Sequence, residues 1–170
     1  MSETPSGRSH GPGRRIAGRA QEDHRGDPYQ GAAKPREGTL CPDCGAAFHA
    51  GRWQWGVGLT DIHHELCPAC RRIRDDYPAG VVELAGGFVL HHKEELVALA
   101  RHHEAAEKAE HPLNRIMAVT ENVSGLEITT TDIHLPRRIG EALKRAYDGE
   151  LAVSHDEDGW FVRVRWERGD

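Results

Sequence analysis

The feature that most constrains this chain is its cysteine arrangement. All four cysteines of the 170 residues fall in two C-x-x-C pairs, Cys41-Pro42-Asp43-Cys44 and Cys67-Pro68-Ala69-Cys70, joined by 22 residues. A C-x-x-C turn lets two sulfurs from one short loop face a single ion, and two such turns complete a tetrahedral set. Gly45, directly after the first pair, is free to take the positive φ that such a knuckle needs. Disulfide frameworks spread cysteines through a small secreted fold, whereas clustering within thirty residues reads as metal binding. Four protein thiolates leave no position for water, so the ion is structural, and zinc is the ion expected of Cys41, Cys44, Cys67 and Cys70. A four-thiolate iron centre uses the same two turns and stays open as the alternative. A redox dithiol would account for only one pair. Four thiolates on a divalent ion carry a formal charge of −2, and the nearby Arg71, Arg72 and Arg74 are the cations expected to moderate it.

The rest of the chain divides around this cluster. Residues 1–37 are rich in Gly, Pro, Ser and Arg, with Ile16 the only large aliphatic side chain after Met1. Such a segment cannot offset its ordering entropy by burial, so a disordered tail is expected. Residues 38–78 form the cysteine module, which reads as zinc-ribbon-like and too poor in apolar residues to have a core without its metal. Residues 79–168 carry the periodic pattern of an α+β domain. The whole chain is only 38% hydrophobic, so a metal clip would help a thin core. No apolar run is long enough to span a membrane and the N-terminus has no secretory signature, so a cytoplasmic protein is expected.

Within the α+β region, Val81–Ala85 and Phe88–Leu90 read as one strand bent at Gly86-Gly87. Residues 93–110 have helical spacing, with Leu96, Leu99, Ala100, His103 and Ala106 on one stripe. Strands follow at 115–120 and 126–131, turning at Asn122–Gly125. Residues 135–147 give the clearest helix: Pro136 suits its first turn, Ile139, Ala142, Leu143 and Ala146 make its stripe, and Gly149 sits where it ends. A short strand at 151–154 leads through Asp156–Gly159 into 160–167, where Trp160, Val162, Val164 and Trp166 alternate with Phe161, Arg163, Arg165 and Glu167. The first six elements match a ferredoxin-like, split βαβ order, helices on one face of an antiparallel sheet, and the last strand would extend that sheet as a hairpin.

Catalytic signatures are missing. No phosphate-binding glycine loop, nucleophile elbow or H-E-x-x-H helix occurs. The histidine pairs at 63–64, 91–92 and 102–103 place their rings on opposite sides of an element and make poor chelates, so they read as surface residues, His103 half covered. Thr129–Asp132 reads as a strand end running into a helix cap. A non-enzymatic protein is therefore expected.

Net charge is −5. The first 37 residues hold seven basic and five acidic side chains, and the rest hold fifteen and twenty-two. That balance excludes a general nucleic-acid coat protein and leaves only local basic patches. Arg137, Arg138, Lys144 and Arg145 fall on the polar side of the 135–147 helix, and Arg163 and Arg165 on one face of the last strand. Arg52, Trp53 and Trp55 between the cysteine pairs, with Arg71 and Arg72 just after them, add charge and stacking surface. These residues are the candidate contacts for RNA or a protein partner; the plainer reading of the helix is a solvated face.

The run Leu126-Glu127-Ile128-Thr129-Thr130-Thr131-Asp132-Ile133-His134-Leu135-Pro136-Arg137-Arg138-Ile139-Gly140-Glu141-Ala142-Leu143, following two cysteine knuckles, resembles the large-ribosomal-subunit export adaptor family and its archaeal and prokaryotic relatives. The match continues into Tyr147, Gly149-Glu150-Leu151 and Val162–Trp166, and covers residues 41–166 at most. The chain has one cysteine quartet where members often carry more, and lacks their downstream barrel domains. What the resemblance implies is association with the large ribosomal subunit or ribosomal RNA, with possible ribosomal-protein contact, in assembly, hibernation or a related role. A zinc-ribbon interaction or regulatory scaffold without RNA binding is the alternative.

Overall fold

The computed structural model describes residues 27–29 and 34–170; the expected disorder of residues 1–26 and 30–33 lies outside the described residues. The cysteine module is a small four-stranded sheet plus one helix. Its strands are β1 (Thr39–Leu40), β2 (Ala47–His49), β3 (Arg52–Gln54) and β4 (His63–His64), ordered β3-β2-β1-β4, and the helix is α1 (Pro68–Asp75). The first cysteine pair is the knuckle between β1 and β2, while Cys67 caps α1 and Cys70 lies in its first turn. This departs from a ribbon, in which both pairs sit on hairpin turns. Pro68 explains the difference, since its fixed φ and missing N–H suit the first turn of a helix.

The N-terminal boundary also extends below residue 38. Asp27 and Arg72 form a buried ion pair, each side chain 4% exposed, and the Tyr29 hydroxyl donates to Asp75 at 2.6 Å. Arg72 sits 4.5 Å from the Tyr29 ring centroid. A short piece of the expected tail is thus packed on α1.

The second unit holds β5 (Gly80–Ala85), α2 (Gly87–His91), α3 (Lys93–Glu110), β6 (Ile116–Asn122), β7 (Gly125–Thr130), α4 (Leu135–Tyr147), β8 (Glu150–His155) and β9 (Val162–Glu167). Both long helices run over the residues their periodicity predicts. Phe88–Leu90, however, is a helical turn rather than a strand continuation. Gly86, at φ 107°, turns the chain out of the sheet, and a Cβ there would lie 2.0 Å from the Arg168 carbonyl oxygen. The turn drops Phe88 onto the core beside Trp166 and stacks it on His92 at 4.0 Å.

The sheet order is β6-β7-β5-β9-β8. β7 lies between β5 and β6 and pairs antiparallel with both. The second half departs from the expectation of an added edge strand: β9 inserts beside β5, parallel to it, and β8 takes the edge. Burial decides the order. Val162, Val164 and Trp166 on β9 are wholly buried, whereas β8 is largely exposed, so the apolar strand takes the interior position. Those three residues join Val82, Leu84, Leu126 and Ile128 under α3 and α4, which supply Leu96, Ala100, Leu135, Ile139 and Leu143. Trp166 donates its indole N–H to the Asp148 carbonyl at 2.7 Å, so its polar atom is satisfied inside this core. By alternation, Arg163 and Arg165 point to the sheet face away from the helices. No helix among the described residues is long and apolar enough to cross a membrane.

Candidate metal centre

Cys41, Cys44, Cys67 and Cys70 converge from the β1–β2 knuckle and the start of α1, and all four sulfurs lie within 4.8 Å of one another. The knuckle is closed by Gly45 N–H to Cys41 C=O at 2.9 Å and Cys41 N–H to Ala46 C=O at 2.8 Å, with Gly45 at φ 80°. Backbone N–H groups face the sulfurs, Ala46 to Cys44 Sγ at 3.5 Å and Cys70 to Cys67 Sγ at 3.4 Å. The Cys44–Cys67 sulfur separation is 3.8 Å. Tetrahedral thiolates at about 2.3 Å from zinc stand roughly 3.8 Å apart, the separation that Cys44 and Cys67 show. Cys41, Cys67 and Cys70 are buried, walled by Trp53, Leu66 and Leu113.

The counter-charge is not where the sequence pointed. The arginines of α1 are committed elsewhere: Arg71 to Glu65, Arg72 to Asp27 and Arg74 to Asp43. Instead Arg115, 45 residues beyond Cys70 and at the entry to β6, reaches across from the α+β unit. Its guanidinium donates to Cys70 Sγ at 3.4 Å, Cys44 Sγ at 3.2 Å and Cys67 Sγ at 3.3 Å. Its Nε donates to the Pro112 carbonyl at 2.6 Å, and its backbone N–H to Thr131 Oγ1 at 2.9 Å. Arg115 is 6% exposed. Burial works against its charge, but its hydrogen bond to Cys70 and the neighbouring sulfur charge outweigh that and raise its pKa. Among the thiols, the hydrogen bond from Cys67 lowers the Cys44 pKa to about 4, and the same contact followed by burial pushes Cys67 up. Spacing rules could not find Arg115; the only local hint was a charged residue set between Leu113 and Ile116 at a strand entry.

The proposed contact residues are scattered. Trp53 packs on the sulfur cluster with its ring edge-on to Phe48, and the Trp55 indole N–H donates to the Lys108 carbonyl of α3 at 2.6 Å, 6.0 Å from Arg115. The Trp55 indole thus joins the two units, while Trp53 packs within the cysteine module. Arg72 is buried and paired, so it offers nothing to a partner. Arg163 pairs with Glu83 and Arg165 with Glu167 at 3.2 Å, on the far face of the sheet. Arg52 is exposed on β3. Arg137, Arg138, Lys144 and Arg145 do share the solvent side of α4, with Glu141 the only acid among those thirteen residues. Arg138 reaches Glu107 of α3 at 2.9 Å and Lys144 reaches Asp148 at 2.8 Å.

The fold and the sulfur cluster define a mixed α+β protein with a four-cysteine site able to bind a metal ion. No family model, curated protein or solved structure matches the chain.

Proposed function

We propose that this is a non-enzymatic zinc protein whose metal holds the cysteine module together, with Arg115 tying that module to the α+β unit, and that the joined body docks on structured RNA. The large ribosomal subunit is the partner the family resemblance implies. Zinc is assigned because a closed set of four thiolates with no free position is its usual structural use; when bound, it cross-links the knuckle to α1. Arg115 extends that link to β6.

The observation that supports RNA is the solvent side of α4, which carries four cations on a helix whose other side is buried; Arg137 pairs with Glu141, Arg138 with Glu107 and Lys144 with Asp148, and RNA phosphates would compete with these acids. Single-stranded contacts by four cations give a log–log salt slope of at most about −3. Sedimentation through a sucrose gradient tests the reading. At low salt the metal-loaded protein co-sediments with large subunits, and RNase or raised salt releases it; a protein that stays at the top of the gradient at low salt refutes it. The second reading, a scaffold for a protein partner, is favoured by the acidic excess beyond residue 37 and by the internal pairing of Arg163 and Arg165. It predicts binding that survives RNase and salt.

A further inference from the structure

The five-stranded sheet has two edges, and they are finished differently. β6 is broken by a register shift between Ile116 and Ala118, its Ile116 N–H donates to Glu104 Oε1 at 2.8 Å, and Glu121 near its end pairs with Lys93. A bulge, a side-chain acceptor and charges are devices that stop a sheet edge from adding another strand. β8 is left bare. It pairs with β9 in unbroken register, contains no proline or lysine, and has its one carboxylate, Glu150, at its start. No strand among the described residues lies on its outer side.

The hydrogen-bond phase shows which groups are left over. Asp156 N–H donates to the Phe161 carbonyl at 3.1 Å, and on the other side of β9 Val162 N–H donates to the Ala79 carbonyl at 3.1 Å. Carried along the ladder, that alternation turns the peptide groups of Glu150, Ala152 and Ser154 toward β9 and those of Leu151, Val153 and His155 outward. The side chains of Leu151 and Val153, opposite Trp166 and Val164, lie on the helix-covered face. Leu151 packs on the core, while Val153 is 38% exposed.

We infer that β8 is completed by β8 of a second copy of this chain, antiparallel about a twofold axis through Ala152. Opposed residues of an antiparallel pair share a face, so Leu151 of each copy stands opposite Val153 of the other, and Glu150 opposite Ser154. The two apolar residues that bond outward are two apart, so this one register matches both; the edge complements itself, which favours a second copy over a foreign strand. A register centred on Val153 instead sets Glu150 against Asp156 and Leu151 against His155, and is disfavoured. The twofold axis is perpendicular to the sheet, so the helices of both copies cover the same face. α4 lies chiefly over β9. Strands about 4.8 Å apart then put the two α4 helices about 14 Å apart, wider than the 8–10 Å of packed helices, so they do not block the pairing. Gly140 of α4 faces Leu151, and Arg137 and Lys144 on that side carry their own acids, Glu141 and Asp148, which limits repulsion between the two helices. The inference does not depend on the RNA reading.

The test is the mass of full-length, zinc-loaded, nucleic-acid-free protein, by light scattering and sedimentation equilibrium from low micromolar to near-millimolar concentration. It should climb from 18.9 kDa toward twice that value. Val153→Pro removes an outward N–H and none that β9 uses, so it should hold the mass at the monomer value while nearly keeping the thermal midpoint. Val153→Lys, which keeps every backbone group, should weaken association by about tenfold or more. Ala152→Cys should form a covalent dimer with oxidised glutathione, its two Cα atoms being about 4.5 Å apart at a non-hydrogen-bonded pair. Ser154→Cys, roughly 14 Å from its mate, should not. A monomer at every concentration overturns the inference, even one that captures a strand of another protein. So does a dimer untouched by both Val153 variants, or cross-linking at Ser154 as ready as at Ala152.

Discussion

Replacing Arg115 with Leu removes the only guanidinium among the described residues that hydrogen-bonds the sulfur cluster, where it spans Cys44, Cys67 and Cys70 and also holds the Pro112 carbonyl. Hydrogen bonds to charged groups contribute about 1.5–3 kcal/mol each, but three donated by one guanidinium to adjoining sulfurs do not add. The better guide is the cost of leaving one side of a buried charge pair uncompensated, about 3–5 kcal/mol. The Arg115→Leu chain loses that much, a large part of the ~5–15 kcal/mol expected of a small domain. With a urea dependence of about 2 kcal/mol per molar, the unfolding midpoint falls by roughly 2 M. Arg115→Lys keeps the charge but not the planar fork, and should fall between that variant and the parent. The assay pairs tryptophan fluorescence in urea with zinc release to a chromogenic chelator in native buffer. Because Arg115 links both units, the midpoint and the release rate should shift together, in the order Lys then Leu. A Leu variant with the parent's midpoint and release rate refutes the role given to Arg115. So does a Lys variant as damaged as Leu.

Other expectations follow from particular contacts. Asp132→Asn keeps both helix-capping bonds, from the backbone N–H of His134 and of Leu135, and removes a buried charge whose folded pKa is raised, so the variant gains stability near neutral pH. That gain shrinks as the pH falls through the folded pKa and vanishes below the unfolded value of 3.8, where both states are protonated; thermal melts across pH read it. Gly86→Ala forces a side chain onto the Arg168 carbonyl at positive φ and should cost at least about 2 kcal/mol by chemical denaturation, while the helical content of α3 and α4 persists in the folded variant. Arg72→Met strands Asp27 in a buried site and should cost about 3 kcal/mol or more, with the Asp27→Asn, Arg72→Met double variant recovering part of it. Stripping the metal with a chelator should open α1 and β1–β2 to hydrogen exchange before the β5–β9 core.

The sequence placed α3 and α4 well because each carries its own signal: an apolar stripe in both, and in α4 also a proline in the first turn and a glycine past its end. It placed the four sulfurs for the same reason, since two short covalent tethers nearly define where their ends can go. It misjudged Phe88–Leu90 because three apolar residues after a glycine pair fit a strand or a helical turn equally, and the Arg168 backbone that leaves no room for a side chain at Gly86 lies 82 residues on. It assigned the counter-charge to Arg71, Arg72 and Arg74 because they are adjacent in the chain, although Glu65, Asp27 and Asp43 already hold them.

What this chain's sequence determined alone was local: which cysteines come together, which segments are amphipathic, and where helices begin and end. The tertiary structure decided the rest, because it depends on through-space distances between residues far apart in the chain. Only the fold could set Arg115 against the cluster, tie the Trp55 indole to α3, and insert β9 between β5 and β8. Only the fold could leave one oxygen of Asp132 buried without a partner.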